Sequence, residues 1–243
     1  VSLNICRWTF PGTWAKNIAT SWRISPDIRP HWSSVKRIIE LNIPLSAYCR
    51  DGHYNDMDML EMGRGLKPNE EEVHFGMWCM MSSPLLIGCD MTKIKPATMD
   101  LLKNKELIAI NQDPLALQAY PIMSNGDTYV LVKDIIEERG KTRAVALYNA
   151  SDTIAHFSVP ISELEFAGKV KLRNLITHQN MKPVKDSIVA TLPPHSVLIM
   201  KAEAQQRIEP SRYEAEWGYL PCYDNLGKFK RQVLYANNPN ASC

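Results

Sequence analysis

The sequence SWRISPDI, residues 21–28, decides how the N-terminal part of this chain folds. Its first residues are typical of a short strand, and at the end of that strand Arg23 and Asp27 stand four positions apart. About thirty residues later a second acidic stretch, YNDMDML at residues 54–60, again follows an apolar run and precedes a helical pattern. An order of strand, acidic loop and helix that occurs twice predicts consecutive β/α units.

Outward from these loops, the first 120 residues alternate short apolar runs with helical patterns, which favours a parallel sheet. The predicted strands are Leu3–Cys6, Ser21–Ile24, Leu45–Cys49 and Leu85–Gly88. The predicted helices are His31–Leu41, a helix from Pro68 to about Met81 with Asn69 as its cap, a helix opening at Pro96, and Leu107–Asn111. The N-terminal part is therefore expected to be α/β.

From Tyr129 the pattern changes to short strands separated by turn-rich stretches, which predicts an antiparallel β-sandwich over residues 121–203. Its predicted strands are Tyr129–Val132, Ala144–Tyr148, Ala155–Val159, Val170–Leu175, Ile188–Leu192 and Val197–Met200. The polar residues 204–212 are predicted to form a linker. Residues 213–243 begin a further strand-like motif.

Composition excludes several classes of function. The chain has 243 residues, and its net charge of +2 gives no reason to expect nucleic acid as a partner. No apolar run reaches the roughly 18 residues that span a membrane. The six cysteines include no Cys-x-x-Cys pair, so a structural zinc site is not expected, and buried thiols are favoured over disulfides.

The two acidic loops suit one kind of chemistry in particular. A glycosidic bond is cleaved by two carboxyl groups that flank it, one protonating the leaving oxygen and the other attacking or activating water. Loops that follow neighbouring barrel strands bring such groups to the same end of the barrel. No metal or organic cofactor is required by this chemistry.

Five motifs, in order, resemble the retaining α-galactosidases and α-N-acetylgalactosaminidases of glycoside hydrolase family 27. They are CRW at 6–8, SWRISPDI at 21–28, NDMDML at 55–60, PLLIGCD at 84–90 and IAINQDPL at 108–115. The resemblance extends from about residue 2 to about residue 202. It implies a (β/α)8 TIM barrel followed by an antiparallel β-sandwich.

On that template residues 1–120 correspond to the C-terminal half of the barrel, strands 5 to 8. The family's nucleophile, a Lys-x-Asp on the fourth strand, would then lie upstream of Val1, and the 243-residue chain alone is expected to be inactive. Residues 213–243 resemble the opening of a carbohydrate-binding β-module, although an ordinary charged linker explains their composition equally well.

The resemblance also implies roles for individual residues. Asp27 matches the general acid/base, and Arg23 would face sugar hydroxyls or the nucleophile unless it forms only a strand-end ion pair with Asp27. Asp58 and Met59 match a loop that lies against the bound sugar. For Asp56 and Asp58 the alternative is structural, namely that the carboxylates accept hydrogen bonds from backbone N–H groups of a tight loop.

Aromatic rings could stack on the apolar face of a sugar. Trp8 and Trp22 are candidates for this role, with core packing as the alternative for both. Cys89-Asp90 and Asn111-Gln112-Asp113 are predicted to be scaffold rather than substrate contacts.

Arg7 departs from the family pattern, in which α-galactosidases carry Glu and the acetamido-sugar enzymes a small residue. The charge reversal implies either that Arg7 points away or that it binds a charged or differently substituted sugar. The expected function is therefore retaining α-glycosidase activity on a carbohydrate, most simply a terminal α-galactoside. Transglycosylation, another sugar specificity and a non-catalytic carbohydrate-binding role are the alternatives. Oligomeric state and cellular location are not indicated by the sequence.

Overall fold

The computed structural model describes residues 2–50, 52–136 and 141–208, and the backbone of two short strands, β12 (Cys222–Tyr223) and β13 (Phe229–Lys230). The predicted carbohydrate-binding module, residues 213–243, therefore lies outside the described residues except for these four. Within the described part of the chain, no helix has both the length and the apolar character needed to cross a bilayer.

The N-terminal part contains parallel strands joined by helices, as predicted. Its sheet has the order β1-β2-β3. Beyond β3, a single parallel bridge joins Leu60 to Ile87, in the segment after the helix Pro68–Met80. The strands are β1 (Asn4–Ile5), β2 (Ser21–Arg23) and β3 (Tyr54–Asp56). The helices are α1 (Trp32–Asn42), α2 (Pro68–Met80), α3 (Pro96–Leu102) and α4 (Lys105–Asn111). This arrangement is the C-terminal part of a β/α barrel.

The predicted strand Leu45–Cys49 was wrong, because residues 43–48 form a 3-10 helix with Pro44 in its first turn. The third strand is instead the polar segment β3. Asn55 explains how so polar a strand is buried, since its side chain accepts a hydrogen bond from Trp22 Nε1 at 2.8 Å and donates one to the Leu45 carbonyl at 2.9 Å. The predicted strand Leu85–Gly88 is reduced to the single bridge at Ile87.

Helix α2 begins at Pro68, a favoured first position because proline lacks an N–H that the helix would leave unpaired. Its N-cap is Lys67, so the predicted cap Asn69 was wrong. The Glu70 side chain instead accepts the Lys67 backbone N–H at 2.9 Å. Asn69 donates to the carbonyls of Pro194 and His195 at 3.2 and 2.8 Å, and it thereby attaches the helix to the second domain.

The C-terminal part is the predicted antiparallel sandwich. A six-stranded sheet has the order β4-β5-β6-β11-β8-β9, and the second sheet pairs β10 with β7. The strands are β4 (Tyr120–Asn125), β5 (Thr128–Asp134), β6 (Thr142–Asn149), β7 (Ala155–Pro160), β8 (Phe166–Asn174), β9 (Gln179–Val184), β10 (Ser187–Leu192) and β11 (Ser196–Arg207). Sequence analysis missed β4 and β9. Each contains a proline, and each forms an edge of the sheet, where a missing N–H is tolerated.

The predicted linker 204–212 was wrong over residues 204–207, which belong to β11 and pair with β8. The Ile208 N–H continues this contact by donating to the Glu165 carbonyl at 2.8 Å. These residues are polar, but Arg207 is bound by Asp134 and Glu165, so the strand needs no apolar pattern there. Residues 209–212 lie outside the described part.

The barrel part and the sandwich share one hydrophobic core. Helix α2 lies against β11, and a Cβ atom placed on Gly76 would be 2.4 Å from the Ile199 side chain. A larger residue at this position would displace the Ile199 side chain where the helix crosses the sheet. The second core lies between the two sheets of the sandwich and contains Val132, Phe157 and Val159.

Candidate active site

The predicted site residues follow the carboxyl ends of neighbouring parallel strands. Arg7 and Trp8 come after β1, Asp27 after β2, and Asp58 and Met59 after β3. This is the end of a β/α barrel at which active sites are found, because the loops there converge on one opening.

Arg23 joins two of the acidic groups. Its side chain is largely buried, and its Nη2 lies 2.6 Å from Asp58 Oδ2 and 3.2 Å from Asp27 Oδ1. The same nitrogen donates to the Ser25 carbonyl at 3.2 Å. The predicted proximity of Arg23 and Asp27 is therefore present, with Asp58 as the closer partner.

The two carboxylates differ in their surroundings. The Asp27 side chain is 61% exposed and that of Asp58 is 12% exposed. Asp58 Oδ2 also accepts the Ile28 N–H at 2.8 Å, and Oδ1 accepts the Met59 N–H at 2.9 Å. Asp27 is thus the carboxylate open to solvent, whereas Asp58 is engaged on both oxygens.

The backbone of Asp58 is held as well. Its φ angle is 79°, in the left-handed region that non-glycine residues rarely adopt. The Asp58 N–H donates to Asp56 Oδ1 at 2.8 Å, and its carbonyl accepts from Trp78 Nε1 at 2.8 Å. Both Asp56 and Asp58 therefore accept backbone N–H groups of the loop, which supports the structural alternative for both residues.

The two tryptophans have different environments. Trp8 is 58% exposed and has a φ of 65°, so its ring is accessible in the loop after β1. Trp22 is only 1% exposed and donates its Nε1–H to Asn55, so of its two alternatives the structure selects core packing. Strand position alone did not indicate that the Trp22 ring packs in the core.

Arg7 and Met59 are both accessible. Arg7 is exposed on the loop after β1. Met59 is 36% exposed, and its side chain lies over Gly88, where an added Cβ atom would be 2.4 Å from the Met59 sulfur. Gly88 therefore leaves the space that the Met59 side chain occupies.

Sequence analysis missed the polar groups that support the site. Asn4 on β1 donates to Asp56 Oδ2 at 2.7 Å, and burial raises the pKa of the Asp56 carboxyl. Behind the Asp58 loop, the fully buried His74 accepts the Glu61 N–H at 2.9 Å, and burial lowers the pKa of this histidine to about 3. No pattern marks such residues, because each is one polar side chain whose partner is far along the chain.

The residues predicted to be scaffold contact the backbone. Asp90 accepts the N–H of Thr92 at 3.0 Å, and Asn111 donates to the Ser83 carbonyl at 2.9 Å. Asp113 accepts the N–H groups of Leu115 and Ile136 through its two oxygens. Among the described residues, no group of three or more His, Cys, Asp or Glu side chains could hold a metal ion.

Two cysteines are buried thiols in the barrel part. Burial raises the pKa of Cys49 to about 11 and raises that of Cys79 further. Cys6, beside Arg7, is an exposed thiol.

A half-barrel with acids at the carboxyl ends of its strands, joined to an antiparallel sandwich, defines the chain as part of a barrel-and-sandwich protein. The family described as "Alpha galactosidase A" matches residues 11–113, and the "Alpha galactosidase C-terminal beta sandwich domain" matches residues 123–202. The chain belongs to this family, the α-galactosidases of glycoside hydrolase family 27.

Relatives and solved structures agree with this assignment. Alpha-galactosidase 2 of Arabidopsis thaliana is 36% identical over 201 residues, covering 81% of this chain and 50% of the relative. The crystal structure of α-galactosidase I from Mortierella vinacea is 27% identical with a TM-score of 0.78, covering 85% of this chain and 59% of that one. A β-L-arabinopyranosidase of family 27 from Geobacillus stearothermophilus shares the fold, with a TM-score of 0.77 at 22% identity, over 84% of this chain and 51% of its own. The chain spans about half the length of the curated relatives it matches.

Proposed function

We propose that the protein carrying this chain is a retaining α-glycosidase that hydrolyses terminal α-galactosides, with Asp27 as the general acid/base. One observation carries the proposal. Asp27 is the open carboxylate in the loop after β2, and in the motif SWRISPDI it matches the acid/base that the family resemblance implies. An acid there can protonate the departing glycosidic oxygen and then deprotonate the water that releases the sugar.

The double displacement requires a second carboxylate as nucleophile. Asp58 is poorly suited to attack, because both of its oxygens already accept hydrogen bonds. We assign the nucleophile to the Lys-x-Asp of the preceding barrel strands, which would lie upstream of Val1. The chain supplies the acid/base, the loop of Asp58 and Met59, and the exposed ring of Trp8.

The test is hydrolysis by the protein expressed from its complete coding sequence. We expect turnover of an aryl α-galactoside but not of the β-anomer, with α-galactose as the first product observed by NMR, because double displacement retains configuration. The 243-residue chain, assayed beside it, should show no turnover. Sugar binding without hydrolysis by the complete protein would favour the carbohydrate-binding alternative, and transfer to added acceptor sugars would favour transglycosylation.

Arg7 supports a second proposal, that sugar specificity departs from plain α-galactose. An exposed guanidinium after β1 carries positive charge to a position that is acidic in the α-galactosidases of the family. Arginine binds carboxylate and phosphate groups through paired N–H donors. An anionic or otherwise substituted galactoside is therefore the substrate class that Arg7 favours.

For Arg7→Glu in the complete protein, we expect kcat/KM to rise for unsubstituted aryl α-galactosides and to fall for anionic ones. The ratio of kcat/KM for the unsubstituted substrate to kcat/KM for the anionic substrate should change by about tenfold, corresponding to one charged contact. Lys16→Glu is the matched control, since it makes the same charge change at another exposed position. An unchanged ratio in Arg7→Glu would mean that Arg7 points away from the substrate.

A further inference from the structure

We propose that Asp56, braced by Asn4, is a positioning residue of the active site: it holds Asp58 in the conformation that orients Arg23 and the Asp27 loop. The inference rests on the proposed role of Asp27. It assigns a function to two residues that are not themselves directed at the sugar.

The first step is a set of polar contacts across the three strands. Asn4 on β1 donates through Nδ2 to Ser21 Oγ on β2 at 2.8 Å and to Asp56 Oδ2 on β3 at 2.7 Å. Asp56 is 6% exposed and Ser21 is 8% exposed. A buried carboxylate needs partners on its oxygens, and Asn4 satisfies one of them.

The second step passes from Asp56 to Asp58. The other Asp56 oxygen, Oδ1, accepts the Asp58 N–H at 2.8 Å, and Trp78 Nε1 donates to the Asp58 carbonyl at 2.8 Å. Both ends of the Asp58 backbone are therefore fixed while its φ is 79°. A left-handed non-glycine conformation persists only where its surroundings determine it, and here Asp56 and Trp78 supply those surroundings.

The third step reaches the acid/base. Asp58 Oδ2 accepts the Ile28 N–H at 2.8 Å and pairs with Arg23 Nη2 at 2.6 Å. Ile28 directly follows Asp27, and the same Nη2 lies 3.2 Å from Asp27 Oδ1. Asp58 thus fixes both the backbone beside Asp27 and the cation beside its carboxylate, so a displaced Asp58 would move both.

A merely structural Asp56 would stabilise the loop without affecting catalysis by folded protein. A positioning Asp56 makes a different prediction, because Arg23 released from Asp58 would pair more fully with Asp27. That pairing favours the ionised form of the acid. The alkaline limb of the pH–activity profile would therefore move to lower pH.

The donor and acceptor between Asn4 and Asp56 can be exchanged. In Asp56→Asn, an amide whose Oδ1 keeps the bond from Asn4 Nδ2 presents its own Nδ2 to the Asp58 N–H, so the Asp58 N–H loses its acceptor. In Asn4→Asp, two carboxylates face each other across this short contact. The double variant Asn4→Asp/Asp56→Asn restores one donor, one acceptor and one negative charge, with Ser21 Oγ able to donate to the new carboxylate.

The first readout is amide hydrogen exchange in the complete protein, which does not depend on activity. We expect the Ile28 and Asp58 amides to exchange at least tenfold faster in Asp56→Asn and to regain protection in the double variant. Asp113→Asn is the control, because Asp113 also accepts two backbone N–H groups but contacts no member of this set. Unchanged exchange at Ile28 in Asp56→Asn would overturn the proposal.

The second readout is catalysis by the complete protein. For Asp56→Asn we expect kcat on unactivated α-galactosides to fall by about a hundredfold, which is the cost of misplacing a catalytic group by about 1 Å. The alkaline limb should move to lower pH, and the double variant should restore both. A double variant as impaired as the single ones would overturn the role of the Asn4–Asp56 pair. A wild-type protein without glycosidase activity would instead refute the proposed function and leave the exchange result to be judged separately.

Discussion

Replacement of Asp27 by Asn in the complete protein should lower kcat/KM for unactivated α-galactosides by about 10³-fold, within the range that general acid/base catalysis contributes. Asparagine is nearly isosteric and can still accept a hydrogen bond from Arg23, which lies 3.2 Å away. It cannot donate an acidic proton to the leaving oxygen or remove one from water. The loss therefore reports on proton transfer rather than on packing.

The choice of leaving group sharpens this test. The phenolate of an activated aryl galactoside departs without protonation. Asp27→Asn should therefore still form the glycosyl-enzyme and release a burst of phenol before turnover stalls. Asp90→Asn is the matched control, because Asp90 is another loop aspartate whose contacts are with Thr92 and Lys93. Full activity of Asp27→Asn on oligosaccharides would show that Asp27 is not the acid.

The second large effect is expected in the sandwich, at Arg143. Its side chain is 1% exposed, and its nitrogens lie 3.0 Å from Asp134 Oδ1 and 3.1 Å from Glu165 Oε2. It also donates to the Leu164 carbonyl at 3.1 Å and to the Tyr120 hydroxyl. Arg143→Ala removes the buried cation and leaves both carboxylates with fewer donors.

Breaking a buried ion pair by removing one partner costs about 3–5 kcal/mol. We expect the free energy of unfolding of the 243-residue chain to fall by about 3 kcal/mol in Arg143→Ala, the lower end of that range, since Arg207 still contacts both carboxylates. Urea unfolding followed by circular dichroism gives the measurement.

Lys171→Ala is the control for this prediction. Lys171 and Glu203 form a cross-strand ion pair at 3.1 Å in the same sheet, with side chains 69% and 50% exposed. An exposed pair contributes at most about 1 kcal/mol. Equal costs for the two variants would mean that burial does not govern the contribution of Arg143.

Much of the fold could be predicted because local patterns agree with it. The helices and the six apolar strands of the sandwich were located from periodicity and from residues such as Pro68, whose conformational preference is intrinsic. The errors came where tertiary contacts outweigh local preference. Strand β3 is polar and still buried through Asn55, and the apolar segment from Leu45 became a 3-10 helix after Pro44.

By itself the sequence determined the order of the β/α units, the change to an antiparallel sandwich and the position of Asp27 at a strand end, because each depends on residues close together in the chain. Only the tertiary structure decided that Trp22 is core, that Asp58 is engaged while Asp27 is open, and that Asn4 holds Asp56. Asn4 and Asp56 are 52 positions apart. Their hydrogen bond exists because parallel pairing brings β1, β2 and β3 side by side, and no local pattern of residues encodes a contact made in that way.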